Sequence, residues 1–189
     1  MTPRARVLAA TLGAALCLGS GTAAAWDLAG TKNLLLHGRD GSRHTIGQVR
    51  FDPQADGSVR FVVQPDAAAL KDYFLSMREF KCLDGQGEVL CHVPYPYTQP
   101  GTLRPDNLAW LEHSLLFMFK KPSEFGAKLW NGVYWQLSLT PQGLVGRAQA
   151  VDLNLISAPP ANPAAPPFKP ALRDDMPEGA RWFTQLSIE

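Results

Sequence analysis

The sequence is poor in charge of either sign. Only 19% of its 189 residues are Asp, Glu, Lys or Arg, and Lys+Arg 18 against Asp+Glu 17 leaves a formal net charge of +1. Such a chain has no electrostatic footprint for nucleic acid and no polybasic patch for an anionic membrane surface. Cysteine is scarce as well, at three residues, too few for a structural zinc site unless histidines join them. Long apolar runs are missing: Val7 to Leu18 is the main one, and Gly19, Ser20 and Gly21 end it, well short of the ~20 residues a membrane-spanning helix needs. Reaction motifs are absent too. There is no Gly-x-Ser-x-Gly elbow, no His-Glu-x-x-His, no phosphate-binding glycine loop and no dinucleotide fingerprint, so no cofactor is implied.

What is present is a core-forming composition, 46% apolar and 10% aromatic, which suits one folded domain and not a disordered chain. Residues 1–25 carry the three parts of a secretory signal: Arg4 and Arg6, the apolar Val7 to Leu18, and the small-residue site Ala23-Ala24-Ala25. Cleavage there leaves Trp26 first. Leu16 before Cys17 is not the small residue that lipidation of that cysteine requires, so Cys17 is expected to leave with the signal. The expected location is periplasmic or secreted.

Residues 26–157 read as a single α+β domain. Two Asp-Gly turns, Asp40-Gly41 and Asp56-Gly57, punctuate β-favourable runs. With Gly57 left-handed in a bulged turn, Phe51 pairs with Phe61, Asp52 with Arg60 and Val49 with Val63. That register puts the apolar pairs on one face and an ion pair on the other. Asp66 is placed as the N-cap of a short helix, Ala67 to about Phe74. A third hairpin runs from Arg78 to Val93 around Asp84-Gly85-Gln86-Gly87. The i, i+3, i+4 spacing of Leu108, Leu111, Leu115, Met118 and Phe119 predicts a long amphipathic helix over Asn107 to Lys120. Strands follow at Val133 to Thr140 and from Leu144. Six prolines between Pro159 and Pro170 make residues 158–170 a polyproline spacer, and 171–189 is expected to dock back through a terminal strand, Arg181 to Ile188. The expected architecture is a mainly antiparallel sheet of hairpins packed against one long helix; the alternative is a β-barrel with that helix outside.

The candidate site residues fall in four groups. In the third hairpin, pairing Leu83 with Leu90 sets Cys82 directly across from Cys91, a disulfide geometry that an exported compartment permits. His37 and His44 face each other, close enough to share a divalent metal, if the first turn has a two- or four-residue loop; a bulged turn sets His37 opposite Arg43 instead. Tyr95 and Tyr97 project from the Pro-stiffened segment His92 to Gly101, and with Trp110 they could wall a ligand site or simply cover the core. Glu112, His113 and Ser114 supply acid, base and hydroxyl, but neighbouring helix positions diverge by about 100° and a solvated helix face is the simpler expectation. The function expected from these features is a non-catalytic binding module of the cell envelope whose partner is a small molecule or an envelope protein. A metal-dependent or hydrolytic enzyme using His37, His44, His92 or His113 is the alternative, and a structural or assembly factor is a third.

Overall fold

The Asp-Gly turns and the alternation beside them build the hairpins that open the chain. In the computed structural model, which describes residues 26–76 and 78–189, β1 (Gly30–Gly38), β2 (Arg43–Pro53) and β3 (Val59–Pro65) form an antiparallel meander. Phe51 pairs with Phe61, Asp52 with Arg60 and Val49 with Val63, the register the sequence predicts. One irregularity resets the alternation. Leu34 pairs with Gly47 but Leu35 with Thr45, leaving Ile46 as the extra residue of a bulge. Ile46 and Val49, three apart, therefore both reach the core, at 2% and 0% exposure. A Cβ on Gly47 would collide with the backbone carbonyl of Gln64, so the bulge requires glycine. The expected secretory segment, residues 1–25, lies outside the described residues.

The fold class differs from the α+β expectation. Among the described residues the fold is nearly all β-sheet, and the one α-helix there, α1, spans only Ala109–Ser114. The long helix over Asn107 to Lys120 is interrupted because other partners take its carbonyls. Val93 N–H donates to Leu116 O at 2.8 Å, Tyr95 N–H to His113 O at 3.2 Å and His92 Nε2 to Ser114 O at 2.9 Å. Beyond α1 the residues Phe117–Lys120 form a strand. Leu115 to Phe119 is apolar on every side, which a one-sided helix would partly expose, and a strand covered on both faces buries it. The expected helix after Asp66 is likewise a single turn. Asp66 does cap it, accepting Ala68 N–H at 2.8 Å, but Lys71–Leu75 then becomes a strand whose charges pair across to the next one, Lys71 with Asp84 and Lys81 with Asp72.

The remaining strands, numbered in chain order, are β4 (Lys71–Leu75), β5 (Arg78–Gly85), β6 (Glu88–His92), β7 (Thr102–Leu103), β8 (Phe117–Lys120), β9 (Gly132–Thr140), β10 (Gly143–Val151), β11 (Asp174–Asp175) and β12 (Phe183–Ile188). They make one antiparallel sheet in the order β4-β5-β6-β8-β9-β10-β12-β1-β2-β3-β7, with β11 on β10. Among the described residues β4 and β7 are not paired with each other, so the barrel alternative is not realised as a closed ladder. The sheet is nevertheless rolled. Leu34 and Ile46 from one half share a void of about 10 Å³ with His92 and Phe117 from the other. Gly85, at the tip of the third hairpin, lies against Trp182 and Phe183, where a Cβ would strike the indole. β9 is covered on both faces, so that Tyr134 and Trp135, pointing opposite ways, are each 0% exposed; α1 lies against it. Residues 158–170 carry Phe168 into the core at 2% exposure.

Cys82 and Cys91 are directly paired between β5 and β6 and form a disulfide, fully buried on both sides. Closing this short loop is worth about 3 kcal/mol in the chain-entropy model. Replacing both cysteines by serine is expected to lower stability by at least that amount, read as the shift between denaturant titrations of the variant and the oxidised protein. Rapid alkylation of either thiol in unreduced, denatured protein would show the bond to be absent.

Candidate ligand-binding cleft

Strand order decides which polar side chains meet. On the outward face of the sheet one cross-strand row runs Gln136 (β9), Arg147 (β10), Gln185 (β12), His37 (β1) and Arg43 (β2), each directly paired with the next. Arg147 donates to Gln136 Oε1 at 3.0 Å and to Asp175 at 3.0 Å. Hydrogen bonds from Gln149 and Arg147 hold the Asp175 carboxyl below the usual carboxylate range. Open clefts adjoin this row, and the two larger ones hold the charged groups of interest.

The larger cleft, about 510 Å³, lies between the first hairpin turn and residues 176–185. Arg39, Arg147 and Arg181 line it together with Gln185, Met176 and Pro177. Arg39 straps its wall down: the backbone N–H donates to Trp182 O at 2.9 Å, and Nη2 donates to the carbonyls of Gly179 and of Arg181, the latter at 2.9 Å. Arg181 lies over the Phe119 ring at 3.5 Å and beside the buried Glu88 carboxylate, also at 3.5 Å. Burial pushes the Glu88 carboxyl up, against a hydrogen bond from Trp182 N–H and the nearby arginines.

The second cleft, about 450 Å³, is lined by Glu112, Arg173 and Gln136 among others. Neither Glu112 nor His113 lies on the solvated helix face expected of them; they are 7% and 0% exposed. Glu112 accepts the Tyr134 hydroxyl and the Leu137 N–H, the latter at 2.7 Å, joining α1 to β9. Burial pushes its carboxyl up while those two donors pull it down. Replacing Glu112 by alanine orphans both donors and is expected to cost about 3 kcal/mol, whereas glutamine, which can still accept Leu137 N–H, should cost clearly less; equal losses for the two variants in chemical denaturation would show that these bonds contribute little.

His113 Nδ1 hydrogen-bonds Ala109 O at 2.6 Å and must therefore donate, which leaves Nε2 to accept Phe168 N–H at 3.1 Å. Its ring stacks on Phe168 at 5.5 Å. Burial is the main cause that brings its pKa down from 6.5 to about 4, the Ala109 bond opposing and Arg173 assisting. In the unfolded chain the imidazole takes up a proton near pH 6.5, and in the folded protein it resists until about pH 4. Its contribution to stability is therefore complete above the unfolded value and is lost as pH falls from about 6.5 to about 4, a total on the order of 3 kcal/mol. The raised carboxyls of Glu112 and Glu88 act in the opposite sense. The comparison that isolates the imidazole is with His113→Asn, whose stability should fall less steeply over that window; an unchanged slope would contradict the assignment.

The other sequence-predicted residues are placed as follows. His37 pairs with Arg43 and His44 with Leu36, so by strand alternation the two imidazoles stand on opposite faces and cannot share a metal. His37 Nε2 hydrogen-bonds Ser187 Oγ at 2.7 Å, and burial followed by the facing Arg43 pushes its pKa down. His44 bonds Ser42 Oγ at 3.0 Å and packs edge-on against Phe183. Among the described residues no group of three or more His, Cys, Asp or Glu is arranged to hold a metal ion. Tyr95, Tyr97 and Trp110 do come together, with ring centroids 5.5 and 5.8 Å from Tyr95, but Tyr95 and the α1 residue Trp110 are part of the core, at 6% and 9% exposure. The residues that line the larger cleft were missed. The polar alternation of Arg147 and Gln149 along β10 marks an outward face, yet nothing in the spacing brings Arg39, Arg147 and Arg181 together; that depends on β12 entering the sheet between β10 and β1. Comparison of the chain with protein-family models, with curated proteins and with solved structures finds no match, so its function is read from its own residues.

Proposed function

We propose that this protein is a binding module exported to the cell envelope, periplasmic or secreted, that takes a small molecule or a segment of an envelope protein in the cleft beside Arg39 and Arg147. The observation that carries this reading is the cleft itself. At about 510 Å³ it is of the size that small ligands occupy, and it combines the apolar Ala148, Met176 and Pro177 with a few convergent polar groups on a rigid sheet. The secretory pattern of residues 1–25 and the Cys82–Cys91 disulfide support export. No helix among the described residues is long and apolar enough to cross a membrane.

The histidine-enzyme alternative has less support because each of the four imidazoles is already held by a partner within the fold: Ser187 for His37, Ser42 for His44, Ser114 for His92, and Ala109 with Phe168 for His113. Native mass spectrometry of the full-length gene product, recovered from the compartment to which it is exported, tests the proposal. The expected species begins at Trp26, carries no acyl chain and retains a non-covalent small-molecule or peptide adduct. A mass that keeps residues 1–25 overturns export. Hydrolysis of an ester, phosphoester or peptide panel that disappears when one of His37, His44, His92 or His113 is replaced by Gln, in a variant that still folds, overturns the binding reading in favour of an enzyme.

A further inference from the structure

The three guanidinium groups at the larger cleft are not equally neutralised, and the inequality points to a ligand class. Arg147 has Asp175 at 3.0 Å and Arg181 has Glu88 at 3.5 Å. Arg39 has no carboxylate at ion-pair distance among the described residues, although its charge reaches the buried Glu88 carboxyl; its bonds go to main-chain carbonyls through Nη2 alone. Its Nε and Nη1 donors remain for a ligand, and Glu178 is the sole acidic residue in the lining. Arg147 is well exposed, its side chain 60% accessible, and Gln185 beside it in the row offers a carboxamide. The rest of the wall is mixed: Ala148, Met176, Pro177 and Phe183 supply its apolar part, beside Thr184 and glycine main chain. With Nη2 held by two carbonyls, Nε–H and Nη1–H of Arg39 remain as single donors on a cation without an ion-pair partner, which suits a carboxylate or phosphate oxygen better than any neutral group, and the apolar part of the wall fits a hydrocarbon body.

Building on the proposed binding role of this cleft, we propose that its ligand is an amphipathic organic anion, whose carboxylate or phosphate head lies between Arg39 and Arg147 and whose apolar body lies along Met176 and Pro177. The alternative role of these arginines is purely structural, to hold residues 173–181 on the sheet.

Isothermal titration calorimetry with four probes of equal chain length tests this: dodecanoate, dodecyl phosphate, dodecanol and dodecylammonium, the ionic probes below their micellar concentrations and the alcohol below its solubility limit, titrated into the intact oxidised protein. Both anions are expected to bind at least about tenfold more tightly than the alcohol or the ammonium. Arg39→Gln with Arg147→Gln is expected to remove that preference. Arg39→Lys with Arg147→Lys, which keeps the charge but loses the fork, should restore it in part. Because the glutamine variant could loosen the strap, thermal unfolding is measured in parallel, and Glu178→Gln serves as a variant that leaves both arginines in place and should bind the anions as tightly or more so. A preference for dodecanoate over dodecyl phosphate identifies a carboxylate ligand, and the reverse a phosphate. Equal binding of all four probes overturns the anionic class and leaves the cleft as a binding site, whereas an anion preference that survives the glutamine variant overturns the placement of the anionic head between Arg39 and Arg147. No binding of any probe, with an uncharged adduct in the exported protein, also overturns the anionic class alone. No binding together with no retained adduct overturns both readings.

Discussion

Deleting residues 183–189 is expected to abolish cooperative folding. β12 lies between β10 and β1, hydrogen-bonded on both sides, and it is the strand that joins the β1-β2-β3 meander to the rest of the sheet. It brings Phe183, Leu186 and Ile188 into the core at 1%, 0% and 0% exposure. Truncating a buried side chain of this size costs about 2–5 kcal/mol, and three of them together approach the whole stability of a domain, about 5–15 kcal/mol. The deletion also strips ladder partners from both neighbouring strands. The checks are circular dichroism in the near and far ultraviolet and a thermal melt of the truncated chain. A sharp, cooperative transition without these residues would mean that the two halves of the sheet are held together by something other than β12. A milder version, Leu186→Ala with Ile188→Ala, keeps the backbone ladder and should leave a weakened but measurable transition.

The second large effect is expected at Tyr95 and Tyr97. Replacing both by alanine should lower stability by about 4–5 kcal/mol, the scale for removing large buried aromatics. Tyr95 contacts Tyr97, Trp110 and His113 with ring centroids 5.5, 5.8 and 6.1 Å away, and it is only 6% exposed. Its hydroxyl is buried without a hydrogen-bond partner, so Tyr95→Phe removes an unsatisfied polar atom and should be neutral or slightly stabilising. Equilibrium denaturation of the two variants separates the possibilities. If the double alanine variant unfolds with the stability of the parent, the rings do not belong to the core, and a ligand contact at this loop becomes the better explanation.

How far the sequence could be read depended on whether neighbouring residues or distant ones settled each question. The second and third hairpins were legible because an Asp-Gly or Gly-x-Gly turn and a period of two are local properties: Phe51 with Phe61 and Cys82 with Cys91 follow once the turn is placed. For the first hairpin the sequence left two registers, and the bulged one, with His37 opposite Arg43, is the one that forms. The segment Asn107 to Lys120 was misread for a physical reason. Leu108, Leu111, Leu115 and Met118 satisfy helical spacing, but Leu115 to Phe119 is also a short, fully apolar run that periodicity cannot tell from a buried strand.

Composition and local spacing alone determined that the chain buries a core, that it has little net charge, that its sheet is made of antiparallel hairpins and that Cys82 and Cys91 can be joined. Only the tertiary structure decided that Phe117–Lys120 pairs between β6 and β9, because the helix was displaced by Val93 and Tyr95, which lie outside the segment and take the carbonyls of Leu116 and His113. Burial of Glu112 and His113 was decided at that same level, since Tyr134, Leu137 and Phe168 are the groups that satisfy them. The arginine cleft depends on a contact still more distant in sequence. Arg39 and Arg181 are 142 positions apart and meet because β12 pairs with β1, and no pattern within either segment encodes which strands will be neighbours.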